Sequence, residues 1–185
     1  TSLLMMALIA GGFAISSALR LRSEETGGLA EVMLATAVSR PRWAASHLAV
    51  ALGGSVLLMA LAGLGMGVTY GIAVSDMGQV GRLVGAALGF VPALWVLVGL
   101  TFALFGLAPR AVGVAWAALV ACFVIGLLGQ LLDLPAGVMD LSPFQHVPQM
   151  PVEGFALAPT ATLTAVAAAL LALGFAGFRH RDAGY

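Results

Sequence analysis

No lysine occurs among the 185 residues, only one cysteine does, and charged residues make up just 9%. Each shortage removes a class of function. A phosphate-binding loop of the GxxxxGK[ST] type needs its lysine to reach the nucleotide phosphates, so any ATP hydrolysis falls to another chain. With Cys122 alone no intrachain disulfide can form, and its position in an apolar run reads as helix packing. Eight arginines balance eight carboxylates. That zero net charge leaves neither a nucleic-acid footprint nor a polybasic lipid-binding tail, and nucleic acid is excluded as a partner. His47, His146 and His180 lie in different segments, without HExxH or a carboxylate at ligand spacing, so neither a metal nor a resident cofactor is expected. Ser142 and His146 are four apart, but no G-x-S-x-G surrounds the serine and no third group is identifiable. A catalytic serine is set aside, and the chain is not read as an enzyme.

What is present is apolar. Hydrophobic residues make up 61% of the chain and mean hydropathy is +1.07, which places it in the lipid bilayer. Five runs are long enough to cross a hydrocarbon core of about 30 Å: residues 1–19, 43–74, 83–107, 112–132 and 160–178. The expected fold is therefore all-α, a polytopic bundle of five transmembrane helices forming one transmembrane domain over 1–185. The first run begins at Thr1 with no basic stretch before it, which reads as a fragment of a longer chain rather than a signal peptide. The second would reach about 48 Å as one helix, so it must tilt, protrude or break. Gly63, Gly67 and Gly71 recur at four-residue spacing within it, baring one face for close helix approach and offering a place to bend. Gly81, Gly85 and Gly89 make a similar stripe before and within the third run, where Pro92 is expected to kink the helix. Residues 133–159 carry five prolines and three carboxylates and form an outer loop, with Ser142 and Pro143 suited to cap and start a short helical turn.

The polar island at 20–42 separates the first two runs. It holds half of the arginines and three of the eight carboxylates. Ser23 can cap a helix entered through Glu24 and Glu25, and a second short helix is expected from Leu29 to Val38. On a helical wheel Leu29, Val32, Met33 and Thr36 share one side, with Glu24 and Glu31 on the other. Two readings fit: an interfacial helix lying on headgroups, or a coupling helix that docks on a partner. The glutamates favour the second, because a lipid-surface helix presents basic residues. His47, at the start of the second run, reads as an interfacial hydrogen-bonding residue rather than a pH sensor. Trp43 reads as a member of the interfacial belt.

Arginine placement sets the expected orientation. The island, the Arg110 turn and the C-terminal tail share one side, which carries seven arginines, while Arg82 stands alone on the other. The island and C-terminus are thus expected in the cytoplasm of a multi-pass plasma-membrane protein.

The segments RLRSEETGGLAEVMLATAVSRPRWAASHL, GRLVGAALGFVPALWVLVGLTFALFGLAPR and MDLSPFQHVPQMP resemble, in order and spacing, those of actinobacterial type-2 ABC exporter permeases. These are the polyketide-antibiotic exporters similar to tetronasin-resistance permeases. The resemblance implies the last five spans of a six-span half-permease in a bacterial plasma membrane. It also implies a separate ABC ATPase subunit that binds the ATP, a second permease half, and a hydrophobic or amphipathic small-molecule substrate such as an antibiotic. Coupling to the ATPase is then expected through the loop at 20–42, with Glu24, Glu25, Glu31 and Arg40 as polar contacts and Leu29, Met33 and Leu34 as apolar ones. A membrane anchor or regulatory subunit without transport activity is the alternative.

Overall fold

Segments that are apolar on every side can satisfy their backbone groups in lipid only by closing hydrogen bonds within themselves, and all five runs are helical, the third as two helices in succession. The computed structural model describes residues 2–26, 40–129, 131–147 and 157–181. In chain order these form α1 (Ser2–Thr26), α2 (Arg40–Val74), α3 (Gly78–Leu88), α4 (Val91–Leu107), a 3-10 turn (Pro109–Ala111) and α5 (Val114–Leu128). A short helix α6 (Ala136–Met139), a second 3-10 turn (Pro143–His146) and α7 (Leu157–Arg181) follow. Five stretches are long and apolar enough to cross a membrane, with α3 and α4 together making one of them.

α1, α2 and α7 outrun their apolar runs, whereas α5 falls short of the expected 112–132 at both ends. α1 continues past Leu19 to Thr26, so Ser23 lies inside a helix instead of capping a new one. α2 stays helical for 35 residues, about 52 Å, and its glycines do not interrupt it. In place of the kink expected at Pro92 there is a break just before it: α3 ends at Leu88, and Pro92 sits in the first turn of α4, where its missing N–H costs no helical bond. Ser142 precedes the second 3-10 turn as foreseen, but its side chain makes no cap bond there.

α4 is the central helix, packed against α1, α2, α5 and α7. Its buried residues run from Val91 to Gly106 and include Leu94, Leu97, Val98, Phe102 and Phe105. In lipid no hydrophobic force drives helices together, so close van der Waals contact between small residues carries much of the association. The α4–α7 seam is built this way. A Cβ on Gly99 would lie 3.0 Å from the Ala167 carbonyl oxygen, and one on Gly177 would lie 2.9 Å from the Gly106 carbonyl. Beside this seam Phe102 meets Phe175 edge-on at 4.8 Å, and Phe105 meets Phe178 at 5.7 Å.

α2 changes partner along its length. Its first half lies on α1, where the Phe13 ring fills the space of a Cβ on Gly54, 2.6 Å away. Its second half lies on α3. A Cβ on Gly63 would come within 2.8 Å of Val84 Cα, and one on Gly67 within 2.8 Å of Val80 Cα. Gly71 faces the Asp76 carbonyl at the turn. The stripe expected on α3 does not form a continuous contact among the described residues: a Cβ on Gly81 would meet none of them within 4 Å, while Gly89 falls after the helix, with Val147 nearby. Gly85 is half-buried in α3.

Two core clusters mark the ends of the bundle. One joins Leu21, Trp43, Ala44, Leu48, Phe105, Val112 and Phe178. The other joins Ala7, Met59, Ala87, Val91, Cys122, Phe144, Val147 and Leu163.

Candidate functional site

The first cluster gathers the end of α1, the start of α2, the end of α4 with its following turn, and the end of α7. Arg20, Arg22, Arg42 and Arg110 belong to these elements and are exposed there. Residues that are scattered along the chain therefore share one polar rim around a dry aromatic floor.

Two of the rim's side chains are joined. His47 Nε2 lies 3.1 Å from Glu24 Oε2, linking the second turn of α2 to the last turn of α1. The pair is partly shielded, at 20% and 30% side-chain exposure for His47 and Glu24 respectively. An imidazole Nε2–H can donate to a carboxylate whether the ring is neutral or charged, so the contact has a favourable form in either state. The Trp43 ring packs against the imidazole in a T-shaped arrangement, with ring centroids 5.4 Å apart. Trp43 is itself buried, and its indole Nε1 has no hydrogen-bond partner among the described residues. Its ring packs into the floor of the site with Leu21, Ala44 and Phe105.

Of the residues singled out for coupling, Glu24 is thus turned toward α2. Glu25 lies in the last turn of α1 and Arg40 begins α2 by backbone, while their side chains lie outside the described residues, as do Leu29, Glu31, Met33, Leu34 and the helix expected from Leu29 to Val38. Sequence reasoning missed the Glu24–His47 pairing. The available signal was an acid and an imidazole, each about one turn from a junction between spans.

The opposite end is closed by the segment after α5. Phe144 and Val147 are buried, and the Phe144 ring lies 6.4 Å from Phe90 at the α3–α4 break. The Ser142 hydroxyl, 1% exposed, has no nitrogen or oxygen partner among the described residues; the weakly polar Cys122 thiol lies against it. His146 Nδ1 lies 3.2 Å from the Ser142 carbonyl oxygen, which is a turn contact and not a nucleophile–base arrangement. Among the described residues no group of three His, Cys, Asp or Glu side chains could hold a metal ion. A shallow apolar groove of about 480 Å³ runs along α7 from Leu157 to Ala168 and contains no charged residue.

These features define a polytopic helical membrane protein with charged groups at the helix ends. Residues 1–179 match the family described as "Multidrug efflux system permease Rv1217c, C-terminal domain", and the chain belongs to that family. It is similar to the multidrug efflux system permease protein Rv1217c of Mycobacterium tuberculosis (strain ATCC 25618 / H37Rv), with 45% identity over 179 residues. The alignment covers 96% of this chain and 33% of that protein, so the chain spans about a third of the curated relative's length.

Proposed function

We propose that this chain is the C-terminal transmembrane portion of an ATP-driven exporter of hydrophobic or amphipathic compounds, of the polyketide-antibiotic and tetronasin-resistance type. The 45% identity to a multidrug efflux permease across nearly the whole chain carries this reading. The composition of the helices supports the substrate class. Residues 2–19, 48–74, 83–107, 111–128 and 157–178 contain no Asp, Glu, His or Arg, so a strongly charged solute would cross without a countercharge.

The excess of arginine on the Glu24–His47 end orients it toward the cytoplasm. A separate ABC ATPase binds ATP and engages the loop at 20–42, with Glu25, Glu31 and Arg40 as polar contacts and Leu29, Met33 and Leu34 as apolar ones. Closure of the ATPase dimer displaces that loop, and α1 and α2 tilt as rigid bodies against a second permease half. α2, about 52 Å long, carries the movement from the loop to the turn before α3.

Co-purification of the full-length permease with its ATPase, and ATP-dependent ethidium efflux from inverted membrane vesicles, test the reading. Glu25→Lys with Glu31→Lys is expected to abolish ATPase capture while the permease stays in the membrane. Undiminished capture by that variant would remove the loop from the interface. An inability of the unsubstituted permease to capture any ATPase would favour a membrane anchor or regulatory subunit.

A further inference from the structure

We infer that Glu24 and His47 are positioning residues that tie the end of α1 to α2, so that the two helices move as one body when the loop between them is displaced. The inference rests on the exporter reading above and gives Glu24 a task within the chain instead of at the ATPase surface. The location of the pair is the first reason. Glu24 lies two residues before the last residue of α1, where carbonyl groups lack intrahelical partners and a helix frays under load. A cross-link at that point prevents movement of the loop from being spent in unwinding the last turn.

The surroundings supply the second reason. Leu21, Leu48 and Ala51, adjacent along the two helices, are all buried, and the Phe13 ring over Gly54 continues the contact deeper in the bundle. The Glu24–His47 pair is the polar end of this apolar seam. Trp43 and Ala44 of α2 share one buried cluster with Ala14, Ala18 and Leu21 of α1, so the pair closes the polar end of a seam that is already packed beneath it. The third reason is shielding: a pair partly removed from water holds its geometry better than a fully exposed one, whose contribution is commonly negligible.

The test uses the full-length permease with its ATPase and the substitutions Glu24→Cys and His47→Cys in a Cys122→Ala background. A short bis-methanethiosulfonate reagent links the two thiols and dithiothreitol releases them. Without the link, ATP-dependent ethidium efflux is expected to fall about fivefold, the scale of one lost shielded contact, and linking is expected to restore it to within about twofold of the parent. His47→Arg, which keeps a donor for Glu24, retains efflux, and His47→Leu loses it. The yield of the link is expected to be the same with and without ATP and vanadate. Full efflux in the unlinked variant, failure of the link to restore it, or a yield that falls on adding nucleotide would each overturn the tie. The yield is read without transport, so the tie is tested even where absence of efflux in the parent disproves the exporter reading.

Discussion

Gly106 of α4 and Gly174 of α7 meet backbone to backbone. A Cβ built on Gly106 would overlap the Gly174 carbonyl oxygen and lie 3.1 Å from the Gly174 Cα. Neither helix can turn this contact away from the other without losing the aromatic pairs on either side, Phe102 with Phe175 and Phe105 with Phe178.

Replacing Gly106 with valine is therefore expected to force α4 and α7 apart and to destabilise the protein by about 1–3 kcal/mol or more. Thermal unfolding in detergent, followed by loss of monodisperse protein, measures it. Gly81→Ala is the matched control. A Cβ there meets nothing within 4 Å, and exchanging glycine for alanine within a helix is expected to add roughly 1 kcal/mol. If the two variants unfold at the same temperature, the seam does not hold the bundle together.

The contrast between these glycines shows what could be read in advance. Helix number and membrane character follow from uninterrupted apolar composition, which each segment carries by itself. The spacing of Gly63, Gly67 and Gly71 is likewise visible on one helix. The α4–α7 seam was not legible, because Gly99 and Gly106 acquire meaning only when set against Ala167, Gly174 and Gly177, and no local pattern states which helices pair. The Glu24–His47 contact has the same character. It needs the antiparallel register of α1 and α2, whereas the arginines near both residues mark only the end of the bundle. Helix limits failed for another reason: polarity at Arg20 ends an apolar run but does not end a helix, since arginine and glutamate are good helix formers.

A second cross-helix bond makes a sharper prediction. Trp95 Nε1 on α4 donates to the Leu52 carbonyl on α2 at 3.3 Å, and the same oxygen accepts from Ser55 Oγ at 2.7 Å. Trp95→Phe keeps most of the ring and removes one donor, so it is expected to cost about 0.5–1.5 kcal/mol. Ser55→Ala is expected to cost a similar amount. Because the two donors share one acceptor, their effects should not add: the double variant loses more than the sum of the singles. A double-mutant cycle of unfolding free energies measures this coupling, and strict additivity would mean that the two donors act independently.

Ser142 is expected to behave in the opposite way to most buried polar residues. Its hydroxyl is enclosed beside Cys122 without a conventional partner, whereas buried Thr101 donates to the Leu97 carbonyl at 2.7 Å. An enclosed hydroxyl whose neighbour is only a weakly polar thiol carries a desolvation cost that its removal relieves. Ser142→Ala is expected to leave stability unchanged or to raise it by about 1 kcal/mol, and a drop of the same size in unfolding free energy would reveal a hydrogen bond made by this hydroxyl.

The turn joining α2 to α3 should respond to acid through one carboxylate. Ser75 adopts φ 55°, the Asp76 N–H returns to the Gly71 carbonyl at 2.9 Å, and the Ser75 N–H returns to that of Ile72. Together these close the end of α2 with a Schellman-type cap. Asp76 then holds the start of α3, accepting from the Gln79 side-chain amide at 2.8 Å and from the Gly78 N–H at 2.9 Å. These bonds, with Arg82 nearby, favour the charged carboxylate and hold its pKa below the ordinary value of 3.8. A lowered folded-state pKa means that the contribution is whole above 3.8 and is lost as the pH falls through the lower folded value. Protection of the Gly78 and Gln79 amides from hydrogen exchange, corrected for the intrinsic pH dependence, is therefore expected to be constant near neutrality and to fall below the ordinary aspartate range. In Asp76→Ala it should be low throughout and lack that acid step. An acid step of the same size in the variant would assign it to a different group.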